Sequence, residues 1–113
     1  MDRSRIAIII PARNEEATIG ELVRGGLAFG APIVVDDASD DGTGEAARGA
    51  GAVVVRLNSN GGYDKALDAG FVEADRLGMH FAVTMDGDGQ HHPASLGPLL
   101  DGLRQGADLV VGI

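Results

Sequence analysis

Pro32-Ile33-Val34-Val35-Asp36-Asp37-Ala38-Ser39-Asp40-Asp41-Gly42-Thr43 holds one repeat of the fold in a single stretch. Ile33, Val34 and Val35 are β-branched in succession, which favours an extended chain. The run does not alternate with polar residues, so it reads as a strand covered on both faces. The acids, Ser39 and Gly42 that follow are turn formers and helix caps, which places a helix start near Thr43.

Working outward, four more apolar runs have this character, at residues 6–10, 52–57, 81–85 and 108–113. Segments of helical composition lie between them, at residues 15–29, 43–49, 63–77 and 93–105. In the first, Ile19, Leu22, Val23 and Leu27 form one apolar stripe behind Asn14, a candidate N-cap. In the third, Ala66, Leu67, Gly70, Phe71 and Ala74 do the same, and Gly78 is a natural stop. Strand and helix alternating in this way predict parallel βαβ units with right-handed crossovers. The expected fold is α/β: an open, mainly parallel, Rossmann-like sheet in a three-layer α/β/α sandwich. Residues 1–113 suit a single domain, and the apolar stop at Ile113 is expected of a fragment of a longer chain.

Composition removes several functions. Nine basic residues against 17 acidic ones leave a net charge of −8. Lys65 is the sole lysine, so a phosphate-backbone binder is excluded and no nucleic-acid partner is expected. The absence of cysteine removes disulfides, thiolate metal sites and a thiol nucleophile. No uncharged stretch approaches the ~20 residues of a membrane-spanning helix, and residues 6–10 are too short for a signal-peptide core. A cytoplasmic protein is expected.

Ligands of open parallel sheets bind outside the carboxyl ends of the strands. Aspartates 36, 37, 40, 41, 86 and 88 all follow apolar runs, so six acids converge on one edge. Like charges crowd there unless a cation or hydrogen-bond donors offset them. In Asp86-Gly87-Asp88 the two carboxylates point the same way in an extended chain, and Gln90 adds a third oxygen. Hard oxygen donors suit Mg²⁺ or Mn²⁺ carrying a substrate phosphate. The plainer reading is an Asx-turn or cap before Pro93; the second acid cluster on the same edge favours the metal. Asp37, and less so Asp36, is placed to accept from a base N–H or a ribose hydroxyl. Arg13 sits where a diphosphate needs a donor, whereas Asn14 reads as an N-cap and Glu15 and Glu16 as complements of the helix dipole. Tyr63 reads equally as helix-start packing or a base contact. His91 and His92 are adjacent, so at most one faces the site, and His80 reads as structural.

Four segments together resemble the family-2 glycosyltransferases of GT-A fold: residues 10–16 (Ile-Pro-Ala-Arg-Asn-Glu-Glu), 34–43, 60–71 and 85–93 (Met-Asp-Gly-Asp-Gly-Gln-His-His-Pro). The match is nearest the polyprenyl-phosphate mannosyl- and glucosyltransferase branch, and covers only its nucleotide-binding half. The resemblance implies that Pro11, Arg13, Asn14, Glu15, Asp37 and Asp86 contact the nucleotide. It implies that Asp86, Asp88 and Gln90 hold Mn²⁺ or Mg²⁺, which acts as a Lewis acid on the leaving diphosphate. The donor would be GDP-mannose or UDP-glucose, and the sugar would pass with inversion to an acceptor such as a polyprenyl phosphate. Acceptor site and general base would lie beyond Ile113, so no catalytic base is assigned. The isolated chain is expected to be inactive, and the longer protein peripheral to a membrane. Sheet surface left uncovered predicts self-association into a homo-oligomer.

Departures from the family pattern are Arg13 in place of a frequent Tyr, Gly87 for Ala and Asp64 for Gly. Rival readings fail on spacing. An EF-hand loop counted from Asp86 needs Glu at its twelfth position, which is Gly97. A dehalogenase-type phosphatase needs a lysine after the Asp86 loop, where there is none. A non-catalytic nucleotide- or cation-binding remnant is the alternative that uses the same pocket.

Overall fold

Ile6–Ala12 (β1) is the central strand, because nothing else in the chain is so uniformly apolar. Its side chains alternate between the two faces and so found two cores. The computed structural model describes residues 5–84 and 109–112. Around β1 stand Ala31–Asp36 (β2), Val53–Arg56 (β3), Phe81–Thr84 (β4) and Leu109–Gly112 (β5), in the order β3-β2-β1-β4-β5. The helices are Glu16–Leu27 (α1), Thr43–Ala50 (α2) and Tyr63–Arg76 (α3). β1 pairs in parallel with β2 and β4, and β2 with β3. The chain therefore steps outward twice and then returns past β1, so right-handed crossovers put α1 and α2 on one face and α3 on the other.

Ile6, Ile8, Ile10 and Ala12 join Val34 and Val83 beneath Ile19, Leu22 and Val23 of α1 and Ala47 of α2. Ala7, Ile9, Ile33, Val35 and Ala82 form the opposite core beneath Ala66 and Ala74 of α3. This second core uses small residues, so α3 lies close to the sheet. At Gly70 an added Cβ would stand 2.5 Å from Cγ2 of Ile9. Both α2 and α3 end in Schellman closures. In α3 the N–H of Met79 donates to the Ala74 carbonyl at 3.0 Å and that of Gly78 to Asp75 at 3.0 Å, with Gly78 at φ +78°.

Two expectations change. β5 pairs antiparallel with β4, from Phe81↔Gly112 to Thr84↔Leu109, not in parallel; apolar runs show burial on both faces but carry no direction. β1 continues through Pro11 to Ala12 instead of ending at residue 10, since proline's fixed φ suits extended chain and costs one ladder donor near the strand's end. The helix expected at residues 93–105 lies outside the described residues. Among those described, no helix is long and apolar enough to cross a membrane.

The close approach of α3 predicts opposite outcomes for one substitution at two helical glycines. Gly70→Ala should destabilise the fold by about 1–2 kcal/mol, overpacking against Ile9 outweighing the gain in helix propensity. Gly49→Ala, which meets nothing within 4 Å, should stabilise by up to about 1 kcal/mol. Urea denaturation of the two variants checks the pair.

Candidate functional site

Three loops gather at the carboxyl ends of β1, β2 and β3, at residues 13–15, 37–42 and 57–62. The first two are joined almost residue by residue. The Asn14 N–H donates to Oγ of Ser39 at 2.9 Å, and Oδ1 of Asn14 accepts from the Asp40 N–H at 2.8 Å. The Glu15 N–H donates to Oγ1 of Thr43 at 2.8 Å, and the Glu16 N–H to Oδ2 of Asp41 at 3.3 Å. In return, Oε1 of Glu16 accepts from the Gly42 N–H at 3.0 Å. Each helix start is thus capped from the other helix's loop. Asn14 is not the N-cap expected from the sequence: the helix begins at Glu16 behind Glu15, and Asn14 takes a left-handed φ of 53°. The cross-loop bonds satisfy the N–H groups that a local cap would have served. Ser39, expected near the start of α2, serves the first loop instead. Asp41 does cap α2, accepting the Thr43 N–H at 3.0 Å and the Thr43 hydroxyl.

Asp36 and Asp37 are consecutive and buried, and they face opposite ways because side chains alternate along a strand. Asp36 lies on the α2 face. Its Oδ1 accepts the Ser39 N–H at 3.0 Å and its Oδ2 pairs with Nη1 of Arg56 at 2.8 Å. Gly44 makes room for it, since a Cβ there would stand 2.8 Å from Oδ2. Asp37 lies on the α3 side, where Oδ1 accepts the Gly61 N–H at 2.9 Å and so holds the third loop. The acids that seemed to need an external cation are therefore largely served by protein donors in this cluster. Arg56 is a site residue the sequence reading missed.

Pro11, Ala12, Arg13, Asp37, Tyr63 and Ala66 line a cleft of about 170 Å³ on the α3 side. Three residues singled out from sequence, Pro11, Arg13 and Asp37, thus meet there with Tyr63. Asn14 and Glu15 stand beside it, in the tie between loops. A second, polar cleft of about 390 Å³ lies on the α2 side, among Asp36, Ser39, Asp40, Asp41, Glu45, Arg48 and Arg56. Asp86, Asp88 and Gln90, the candidate metal ligands, lie outside the described residues, as do His91 and His92. Among the described residues no three His, Asp or Glu side chains come together as a metal site. His80 sits at the opposite edge of the sheet, its N–H donating to the Arg5 carbonyl at 2.7 Å.

The hydroxyl of Thr43 holds the Asp41 carboxyl below its ordinary range; some desolvation opposes this, and the N–H groups of Thr43 and Glu16 add to it. A folded-state value below the unfolded one contributes stability that is present above about pH 4 and lost as pH falls through the folded value. Wild type should exceed Asp41→Asn in melting temperature near neutrality, and the gap should narrow on acidification from about pH 5 to pH 3. Thermal melts across that range check it.

Comparison with known proteins agrees with this architecture. The model of the family described as "Glycosyl transferase family 2" matches residues 7–113. Polyprenol monophosphomannose synthase of Mycolicibacterium smegmatis is 37% identical over 96% of this chain and 44% of its own length. Undecaprenyl-phosphate mannosyltransferase of Micrococcus luteus is 38% identical over 96% of this chain and 47% of its own. The chain therefore spans about half the length of these relatives. Among solved structures, glucosyl-3-phosphoglycerate synthase of Mycobacterium tuberculosis, in complex with Mn²⁺, UDP-glucose and phosphoglyceric acid, superposes with a TM-score of 0.67 at 26% identity, covering 91% of this chain and 40% of that one. With its strand order, its three joined loops and this match across nearly its whole length, the chain belongs to glycosyl transferase family 2 and has the GT-A fold.

Proposed function

We propose that this chain is the donor-binding half of a transferase that takes a sugar from a nucleoside diphosphate, GDP-mannose or UDP-glucose, and passes it with inversion to an acceptor such as a polyprenyl phosphate. The observation that carries the reading is the cleft of Pro11, Arg13, Asp37, Tyr63 and Ala66 at the carboxyl edge of the sheet. It offers a buried carboxylate for base or ribose donors, a guanidinium for phosphate oxygens and an aromatic ring, in a chain whose relatives include polyprenyl-phosphate mannosyltransferases. Asn14 and Glu15 support the floor of that contact. The strand order supports the location as well, because the chain reverses direction in the sheet between β1 and β4, where open α/β folds bind ligands.

Asp86, Asp88 and Gln90 are the residues that would hold Mn²⁺ or Mg²⁺, with Asp86 also near the nucleotide. Their donor set is all oxygen, as those ions require. Structural neighbours were crystallised with Mn²⁺ and UDP-glucose or with Mg²⁺ and UDP. Bound there, the ion would stabilise charge on the departing diphosphate. The acceptor site and the general base belong to the longer protein. A cytoplasmic location at the membrane face suits a lipid-phosphate acceptor, and self-association through sheet surface not covered by this half remains part of the proposal.

Calorimetric titration of GDP and UDP, each with and without Mn²⁺, tests the reading. Metal-dependent binding of one nucleotide is expected, lost in Asp88→Ala and retained in His80→Ala. Equal Mn²⁺-dependent affinity in Asp88→Ala would overturn the metal assignment. Absence of binding by both nucleotides, in this chain and in the full-length protein, would overturn the donor site.

A further inference from the structure

Arg56 ends the short strand β3, and its side chain is 55% exposed, yet it reaches a carboxylate that is 1% exposed. The parallel register sets Arg56 directly beside Asp36. Its two terminal nitrogens do different work. Nη1 pairs with Oδ2 of Asp36 at 2.8 Å, and Nη2 donates to the Ser39 carbonyl at 3.1 Å. The other oxygen of Asp36 accepts the Ser39 N–H. Ser39, only 4% exposed, is thereby held at both ends of its backbone. Its remaining group, Oγ, receives the N–H of Asn14. Asn14 is in the left-handed region, and the residue before it is Arg13, which lines the cleft. A second left-handed residue, Ala38 at φ 58°, stands between Asp37 and Ser39. A non-glycine residue is held there at a cost, and persists only where its surroundings fix it.

We propose that Arg56 is a positioning residue for the nucleoside cleft. It acts through Asp36 and Ser39 to fix the backbone of Asn14 and Ala38, and through them the placement of Arg13 and Asp37. Arg56 is absent from the lining of that cleft and lines the polar cleft on the opposite face, so it does its work without touching the ligand. The planar fork is essential, because one guanidinium serves two acceptors at fixed spacing; an ammonium at the same place is a point charge. This rests on the proposed function only for the nature of the ligand; the coupling between Arg56 and the first loop is independent of it.

The experiment has two arms on Arg56→Met, Arg56→Lys and Ser39→Ala. In the first, amide hydrogen exchange is followed at Asn14 and Asp40. Arg56→Met and Ser39→Ala should both raise exchange at these positions relative to the core amides of β1, and Arg56→Lys should fall between Arg56→Met and wild type. Unchanged exchange at Asn14 and Asp40 in Arg56→Met would overturn the proposal whether or not any nucleotide binds. In the second, the nucleotide that wild type binds is titrated into each variant in the presence of Mn²⁺. Arg56→Met should weaken affinity about tenfold, a size usual for one relayed interaction. Ile6→Val, which leaves a small cavity at the amino end of β1, at the other end of the sheet from the loops, should leave affinity unchanged and so controls for general loss of stability. Wild-type affinity in a folded Arg56→Met variant would also overturn the proposal. A wild-type protein that binds neither GDP nor UDP would count against the donor-site reading alone, and the exchange arm would still decide the role of Arg56.

Discussion

A carboxylate buried at the end of a strand cannot be left without partners, and the needs of Asp36 organise the carboxyl edge of this sheet. An uncompensated charge there would cost several kcal/mol. The fold meets that need with the Ser39 N–H on one oxygen and the Arg56 guanidinium on the other. Two consequences follow from meeting it so. The loop after β2 must curl back tightly enough to bring Ser39 over Asp36, which forces Ala38 into the left-handed region. The helix that follows must approach without a side chain in the way, which is why glycine stands at position 44. The other hydrogen bonds of the edge are built on this arrangement, because Ser39 and Thr43 can serve the first loop only once their own backbone is set.

Much of this could be read from the sequence, for reasons that differ by element. β1, β2 and β4 were legible because residues buried on both sheet faces are apolar without alternation, a reading that β3 breaks as a largely accessible edge strand, and the stop of α3 was legible because Gly78 takes a left-handed φ that few other residues tolerate. The distinct surroundings of Asp36 and Asp37 follow from strand alternation alone: Asp36 turns toward Arg56 on the α2 face, and Asp37 lines the cleft on the α3 side. The cleft itself assembles Pro11, Arg13 and Asp37 as the positions after two neighbouring strands must. The direction of β5 was not legible, since burial says nothing of polarity and the connection that sets it lies outside the described residues.

Asn14 and Arg56 were misread or overlooked for a shared physical reason. An asparagine before a helix is most simply a cap, and a lone arginine at a strand's end is most simply a solvated charge. Both readings use only neighbours in sequence, whereas their partners are 17 to 26 residues away. A signal was present for Arg56. Once the order of parallel strands is known, the last residue of β3 falls beside the last residue of β2, and a buried Asp36 demands a cation. For Asn14 no such signal exists, because a left-handed backbone appears only when the two loops are brought together.

The reciprocal capping of α1 and α2 bears on how this edge handles negative charge. Many sheets of this general kind receive phosphate on the free amides where a strand turns into a helix. Here the amides of Glu15, Glu16 and Gly42 already donate to side-chain oxygens of the neighbouring loop and that of Thr43 to Asp41 of its own, three of the four acceptors being carboxylates. The helix starts have become mutually neutralised and closed to anions. An anionic ligand at these two helix starts must find its countercharge in a side chain such as Arg13 or in an ion that arrives with it, which separates this use of a strand–helix junction from that of a phosphate-cradling loop.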